Sequence, residues 1–76
     1  YGVTVAFGTD AGVYQHGRNA EELGLMNKQG MSDREVLASA TTVAAKVLGM
    51  ENQIGKLAPG YSADIIAVTG NPLKDV

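Results

Sequence analysis

The stretch Val3-Thr4-Val5-Ala6-Phe7-Gly8-Thr9-Asp10-Ala11-Gly12-Val13-Tyr14-Gln15-His16-Gly17 decides how this chain is read. Its first five residues are β-branched or apolar on both faces. That pattern predicts a strand buried on both sides, as in a parallel sheet. Gly8 ends the run, and a loop follows that carries an aspartate and the only histidine of the chain. Asp10 thus falls at the C-terminal end of a buried-type strand, where α/β barrels and open parallel sheets keep their sites. An aspartate in such a place also serves as an Asx-turn or cap residue, because its carboxylate bonds its own backbone readily. His16 suits a ligand, an acid or base, or a substrate contact; the plain alternative is a solvated loop histidine. Arg18 can clamp a carboxylate with its two-pronged guanidinium, or remain a solvated charge near a helix start, where its sign is slightly unfavourable.

Working outward, a helix is expected to begin near Asn19. Asn is a good N-cap, and Glu22 three residues on completes a capping-box pattern. Ala20, Leu23 and Met26 share one face, Gly24 interrupts it, and Gly30 fits the position that stops the helix. Ser32 and Glu35 repeat the capping logic. A second helix is predicted from Asp33 to about Leu48, with Leu37, Ala40, Ala44, Val47 and Leu48 as its apolar stripe and Gly49 closing it. Ile54 to Leu57 reads as short and extended. Pro59-Gly60 is the pair a type II turn requires. Asp64 to Val68 is expected as a second strand, and Gly70-Asn71-Pro72 as a turn. The order is strand, loop, two helices and a small β unit, with no internal repeat.

At 76 residues the chain is one domain at most. Such a chain buries only roughly 60% of its unfolded surface. The apolar share of 45% excludes a disordered tail, and with one Phe, three Tyr and no Trp the core must come from aliphatic residues. Six Lys and Arg are scattered under a net charge of −2, which argues against nucleic acid as a partner. No run reaches the roughly 18 apolar residues of a membrane span, and no signal segment opens the chain. A soluble, cytoplasmic protein is the expectation, although the lack of Cys leaves the redox compartment open. Tyr1 is not an initiator Met, and the strand pattern starts at Val3. The expectation is a chain cut from something longer, by construction or by maturation.

Nucleophile and phosphate signatures are weak: Ser32 is engaged as a cap, Ser39, Thr41 and Thr42 lie mid-helix, and no phosphate-binding loop or paired-histidine motif occurs. A zinc site takes at least three protein ligands. Asp10 and His16 supply two at most, so the chain alone builds no complete metal site.

Three ordered stretches carry a resemblance. GTDAG (residues 8–12) is followed by His16-Gly17-Arg18-Asn19-Ala20-Glu21-Glu22-Leu23; next comes Gly30-Met31-Ser32 ahead of an Ala/Thr-rich helix; last is IGKLAPGYSADIIAVTGNPLKDV, Ile54 to Val76. Together they resemble the C-terminal end of a metal-dependent amidohydrolase. The likeness is to the branch with imidazolonepropionase-like enzymes and Xaa-Pro or Xaa-Arg dipeptidases. The resemblance implies an α/β fold. Val3 to Phe7 would be the last strand of a (β/α)8 barrel, followed by its helices, within residues 1–50. Residues 51–76 would return to a small β-sandwich. As an isolated chain, a small mixed α+β unit is expected.

The same resemblance implies that Asp10 binds the metal and acts as general base, then acid, while metal-activated hydroxide attacks a C–N bond. A metal lowers the pKa of its bound water from ~16 to about 7, and a neighbouring carboxylate then shuttles the proton. His16 and Arg18 would face substrate, a small amide or dipeptide. Asp64 matches a structural position. The cofactor would be a divalent metal, zinc by family habit. The first-strand histidine pair, the bridging lysine and the mid-barrel histidines of that family are not in this sequence. The chain alone is therefore expected to be catalytically silent and to bind metal weakly. Its first strand, without barrel neighbours, is expected to fray, to pair with Ile54 to Leu57 or Asp64 to Val68, or to self-associate with another copy of the chain. The rival from another class is a small stand-alone structural or interaction domain without chemistry.

Overall fold

The structure, a computed structural model, describes residues 2–10, 12 and 16–76. Among them the regular elements are three helices: α1 (Glu21–Lys28), α2 (Asp33–Ala40) and α3 (Thr42–Val47). α1 packs on α2, and α2 on α3.

α1 starts later than the sequence pattern suggests. Its N-cap is Ala20 in helical conformation, and no side chain caps it. The Asn19–Glu22 capping box does not form. Instead the chain winds in through backbone bonds from Glu21 N–H to Arg18 O (3.1 Å) and Glu22 N–H to Asn19 O (3.2 Å), with both glutamates of the first turn favourably placed against the helix dipole. The other end follows expectation. Gly30 N–H donates to Asn27 O (3.1 Å) and Met31 N–H to Met26 O (3.3 Å), the pair of bonds of a Schellman stop. Gly49 and Met50 close α3 the same way, onto Lys46 O (3.1 Å) and Ala45 O (2.8 Å). Both stops place the glycine at positive φ, 117° and 73°.

The expected helix from Asp33 to Leu48 is two helices. Ser32 does cap the first, its Oγ accepting from Glu35 N–H at 3.2 Å. At Thr41 the backbone leaves the helix, with φ −130° and ψ −92°. Its hydroxyl donates to Leu37 O at 2.7 Å, the oxygen its own amide would use in a regular α-helix. That amide shifts to Ala38 O at 3.1 Å. The break rephases the stripe. Among the described residues Val36, Ser39 and Ala45 are buried, whereas Ala40, Val47 and Leu48, expected to be inward, are exposed, the last two at 58% and 68%.

The two expected strands are corrected as well. Residues 2–10 and 62–69 belong to no sheet ladder among the described residues. Val3 is 77% exposed and Ile66 86%. A strand is completed only by a neighbour's backbone groups, and no described segment offers them. The turns, being local, are as expected. Tyr61 N–H closes onto Ala58 O (3.1 Å) around Pro59-Gly60, and Lys74 and Asp75 N–H both reach Asn71 O (3.0 Å). The Asn71 side chain adds an Asx turn, accepting from Leu73 N–H at 3.0 Å.

Residues 51–62 form a closed loop against the helix break. Ser62 N–H bonds Gln53 O at 2.8 Å, the Tyr61 hydroxyl donates to Glu51 O at 2.9 Å, and Lys56 Nζ lies 5.1 Å from the centre of the Tyr61 ring. The loop thus rests on α2 and α3. The accessible surface is 6007 Å², against roughly 4,400 Å² for a compact protein of 7.9 kDa. Exposed aliphatic side chains contribute to the excess, among them Val3, Ile65 and Ile66 of the two ladderless segments.

Candidate functional site

Asp10 ends the first segment, and its position is fixed from behind. Residues 5–8 lie along α1, sharing with Glu22, Leu25, Met26 and Gln29 a groove of about 410 Å³. Residues 2–5 lie beside Glu35, Ala38 and Val43. The segment therefore crosses all three helices, and a backbone bond from Phe7 N–H to Ser39 O (2.8 Å) pins it. Three residues beyond that pin, Asp10 turns to φ 52°, the left-handed region. Among the described residues it is the only non-glycine there. Aspartate enters that region more readily than most residues, at a cost that structures usually tolerate for a reason. Asp10 is exposed, as is His16 in the turn that follows. Ala11 and residues 13–15, which connect them, lie outside the described residues.

Arg18 is held. Its Nε donates to Glu21 Oε2 at 2.7 Å and its Nη2 to Glu21 Oε1 at 3.2 Å, a two-pronged pair. This arrangement also lowers the Glu21 pKa, chiefly through the Arg18 hydrogen bonds and with a smaller coulombic part; partial desolvation opposes it. The sequence reading treated Arg18 alone. The signal that could have found its partner is the i,i+3 spacing of Arg18 and Glu21 at a helix start.

A divalent ion needs several oxygen or nitrogen donors converging on one point. The exposed Asp10 carboxylate is a donor of the right kind, held on a constrained backbone. Among the described residues, however, no group of three His, Cys, Asp or Glu gathers in a way that could hold an ion. The chain thus fits one ligand of such a site and not the whole donor set. No described helix is long and apolar enough to cross a membrane.

The model of the amidohydrolase family matches residues 1–76. Ochratoxinase from Aspergillus niger is 39% identical over 77 residues, which takes in 99% of this chain and 16% of that protein. Imidazolonepropionase from Rubrobacter xylanophilus is 51% identical over 37 residues, 49% of this chain and 9% of its own length. A crystal structure of an amidohydrolase superposes with a TM-score of 0.84 at 41% identity, covering 97% of this chain and 18% of that one. The chain thus spans about a sixth of the length of the curated ochratoxinase it matches. With the family model running from end to end and a solved member overlaying nearly every residue, this chain belongs to the amidohydrolase family.

Proposed function

We propose that this chain is the C-terminal portion of a metal-dependent amidohydrolase that hydrolyses C–N bonds in small amides or dipeptide-like substrates. Residues 1–50 would close a (β/α)8 barrel, and residues 51–76 would belong to a flanking β-sandwich. The carrying observation is Asp10: an exposed carboxylate at φ 52°, at the end of a segment pinned across three helices. Family membership supports the barrel, and the two ladderless segments support a fold completed by strands from elsewhere in a longer polypeptide.

In this reading Asp10 does two things. Its carboxylate would help to hold a divalent ion, and the same group would take a proton from the attacking water and return it to the leaving nitrogen. A bound divalent ion, zinc in this proposal, supplies the acidity that makes water a nucleophile near neutral pH. The left-handed backbone sets the direction in which Asp10 presents its carboxylate. His16, exposed on the same loop, contacts substrate. Arg18, whose Nε and Nη2 are held by Glu21, faces substrate from the same loop in this proposal. The chain alone is silent because it offers one ligand.

The test is Asp10→Asn in the polypeptide that contains these residues, assayed with zinc against N-acyl amino acids and dipeptides. Turnover is expected to fall on the order of 10³-fold. Turnover unchanged within about twofold would remove Asp10 from the chemistry and the proposal with it.

A further inference from the structure

In an uninterrupted α-helix each carbonyl accepts from the amide four residues on, and the Ser39 carbonyl would serve Val43. At the break it serves another donor, Phe7 N–H, at 2.8 Å. Ser39 is 1% exposed, and its hydroxyl is engaged with Val36 O at 2.6 Å. The acceptor end of the bond to Phe7 is therefore buried, where water competes for it little. The break that frees this carbonyl is built by Thr41. Its hydroxyl takes Leu37 O at 2.7 Å, its amide moves to Ala38 O at 3.1 Å, and its own carbonyl becomes the first acceptor of α3, bonding Ala45 N–H at 2.9 Å. Gly8 and Thr9 alone separate the pinned Phe7 from Asp10, so a slip at the pin is passed on to the carboxylate with little slack.

We propose that Thr41 is a positioning residue for Asp10. By holding the helix open it leaves the Ser39 carbonyl to Phe7, and the Phe7 pin sets where the Asp10 carboxylate stands. Alanine at position 41 would favour a continuous helix, in which Ser39 and Val43 bond each other and the first segment loses its anchor. The inference rests on the Asp10 role proposed above, and its test separates the two.

The full 76-residue chain is compared as wild type, Thr41→Val, Thr41→Ser and Asp10→Asn. Amide exchange is read at Phe7 by NMR, with Val36 and Ala45 as core references, and the Asp10 backbone three-bond HN–Hα coupling is read as the report on its left-handed φ. Thr41→Val keeps the branched shape and removes the hydroxyl. It is expected to speed Phe7 exchange on the order of tenfold, the loss of about one hydrogen bond, with Val36 and Ala45 little changed. The Asp10 coupling should move toward its unfolded value in parallel, and Thr41→Ser should keep both readouts as in the wild type. If Thr41→Val opens the core references too, Thr41→Ser decides: protection of Phe7 retained with serine supports the role, and protection lost despite the hydroxyl overturns it. Phe7 exchange unchanged within about twofold in Thr41→Val overturns it outright, as does faster Phe7 exchange with the Asp10 coupling unmoved. Asp10→Asn is expected to leave Phe7 protected, so the Thr41–Ser39 link is read independently of the turnover assay that tests Asp10 in the chemistry.

Discussion

A Cβ placed on Gly55 would stand 2.9 Å from the Thr41 carbonyl oxygen and 2.9 Å from the Ala45 Cβ, so the 51–62 loop meets the helix break with no room for a side chain. Two separate stretches of sequence come into contact there. Gly55 also stands at φ 98°. Gly55→Ala is therefore expected to destabilise the chain by about 2–4 kcal/mol, from backbone strain and overpacking together. Gly60 has a similar φ of 86° but open space around it, so Gly60→Ala should cost only about 1 kcal/mol. Urea denaturation followed by circular dichroism checks the pair. Equal costs would mean that the contact at Thr41 contributes nothing.

Capping separates two residues that look alike in sequence. Ser32 accepts from Glu35 N–H, whereas Asn19 caps nothing and α1 has no side-chain cap. Ser32→Ala should lower stability by about 1 kcal/mol. Asn19→Ala should stay within about 0.5 kcal/mol, as for an ordinary surface change. The same melts measure both, and a larger loss at Asn19 than at Ser32 would reverse the assignment of the caps.

The Arg18–Glu21 pair predicts a direction with pH. The pair lowers the Glu21 pKa from its ordinary 4.5. A depressed carboxylate pKa stabilises the fold above the unfolded value, and the gain is lost as pH falls through the folded one. The contribution should therefore be complete above about pH 5 and disappear progressively below 4.5. Both side chains are well exposed, so the effect is small and screened by salt. Glu21→Gln should remove this part of the acid sensitivity. An unchanged difference between wild type and variant from pH 6 to pH 3 would show that the pair does not couple to folding.

Uncovered aliphatic side chains on ladderless segments predict association. Val3, Ile65 and Ile66 are 77%, 65% and 86% exposed, and unpaired backbone beside apolar side chains recruits further strands. Sedimentation of the chain is expected to show concentration-dependent oligomers. Ile66→Lys and Val3→Lys should shift the distribution toward monomer while changing folding stability by less than about 0.5 kcal/mol. An identical distribution for all three chains would place the contact elsewhere.

Features whose causes lie within a few residues were legible. The Ser32 cap, the stops at Gly30 and Gly49, and the Pro59-Gly60 and Asn71 turns are each made by bonds spanning five residues or fewer, so the local residue types suffice to predict them. Asp10 was legible as a candidate because it follows a buried-type strand. Its left-handed backbone was not, since aspartate tolerates that region without demanding it. The two-helix break was missed because threonine only weakly disfavours a helix, and the hydroxyl bond to Leu37 that accompanies the break is not written in the residue pattern. The apolar stripe missed on both sides of Thr41: ahead of it Val36 and Ser39 are buried while Ala40 is exposed, and beyond it Val47 and Leu48 are exposed; a short helix buries the face its neighbours cover, and a pattern carried across a break also loses its phase.

The sequence by itself determined the family, the start of α2, the stops of α1 and α3, and the turns, for these depend on residue order and on short-range bonds. Tertiary structure decided the rest. Phe7 donates to Ser39, Gly55 seats on Thr41, Arg18 closes on Glu21, and among the described residues the two strand-like segments go without ladders. Except for the Arg18–Glu21 pair, these outcomes depend on which distant backbone groups happen to meet. A residue's own chemistry can permit such a meeting, but only the packed chain supplies the partner.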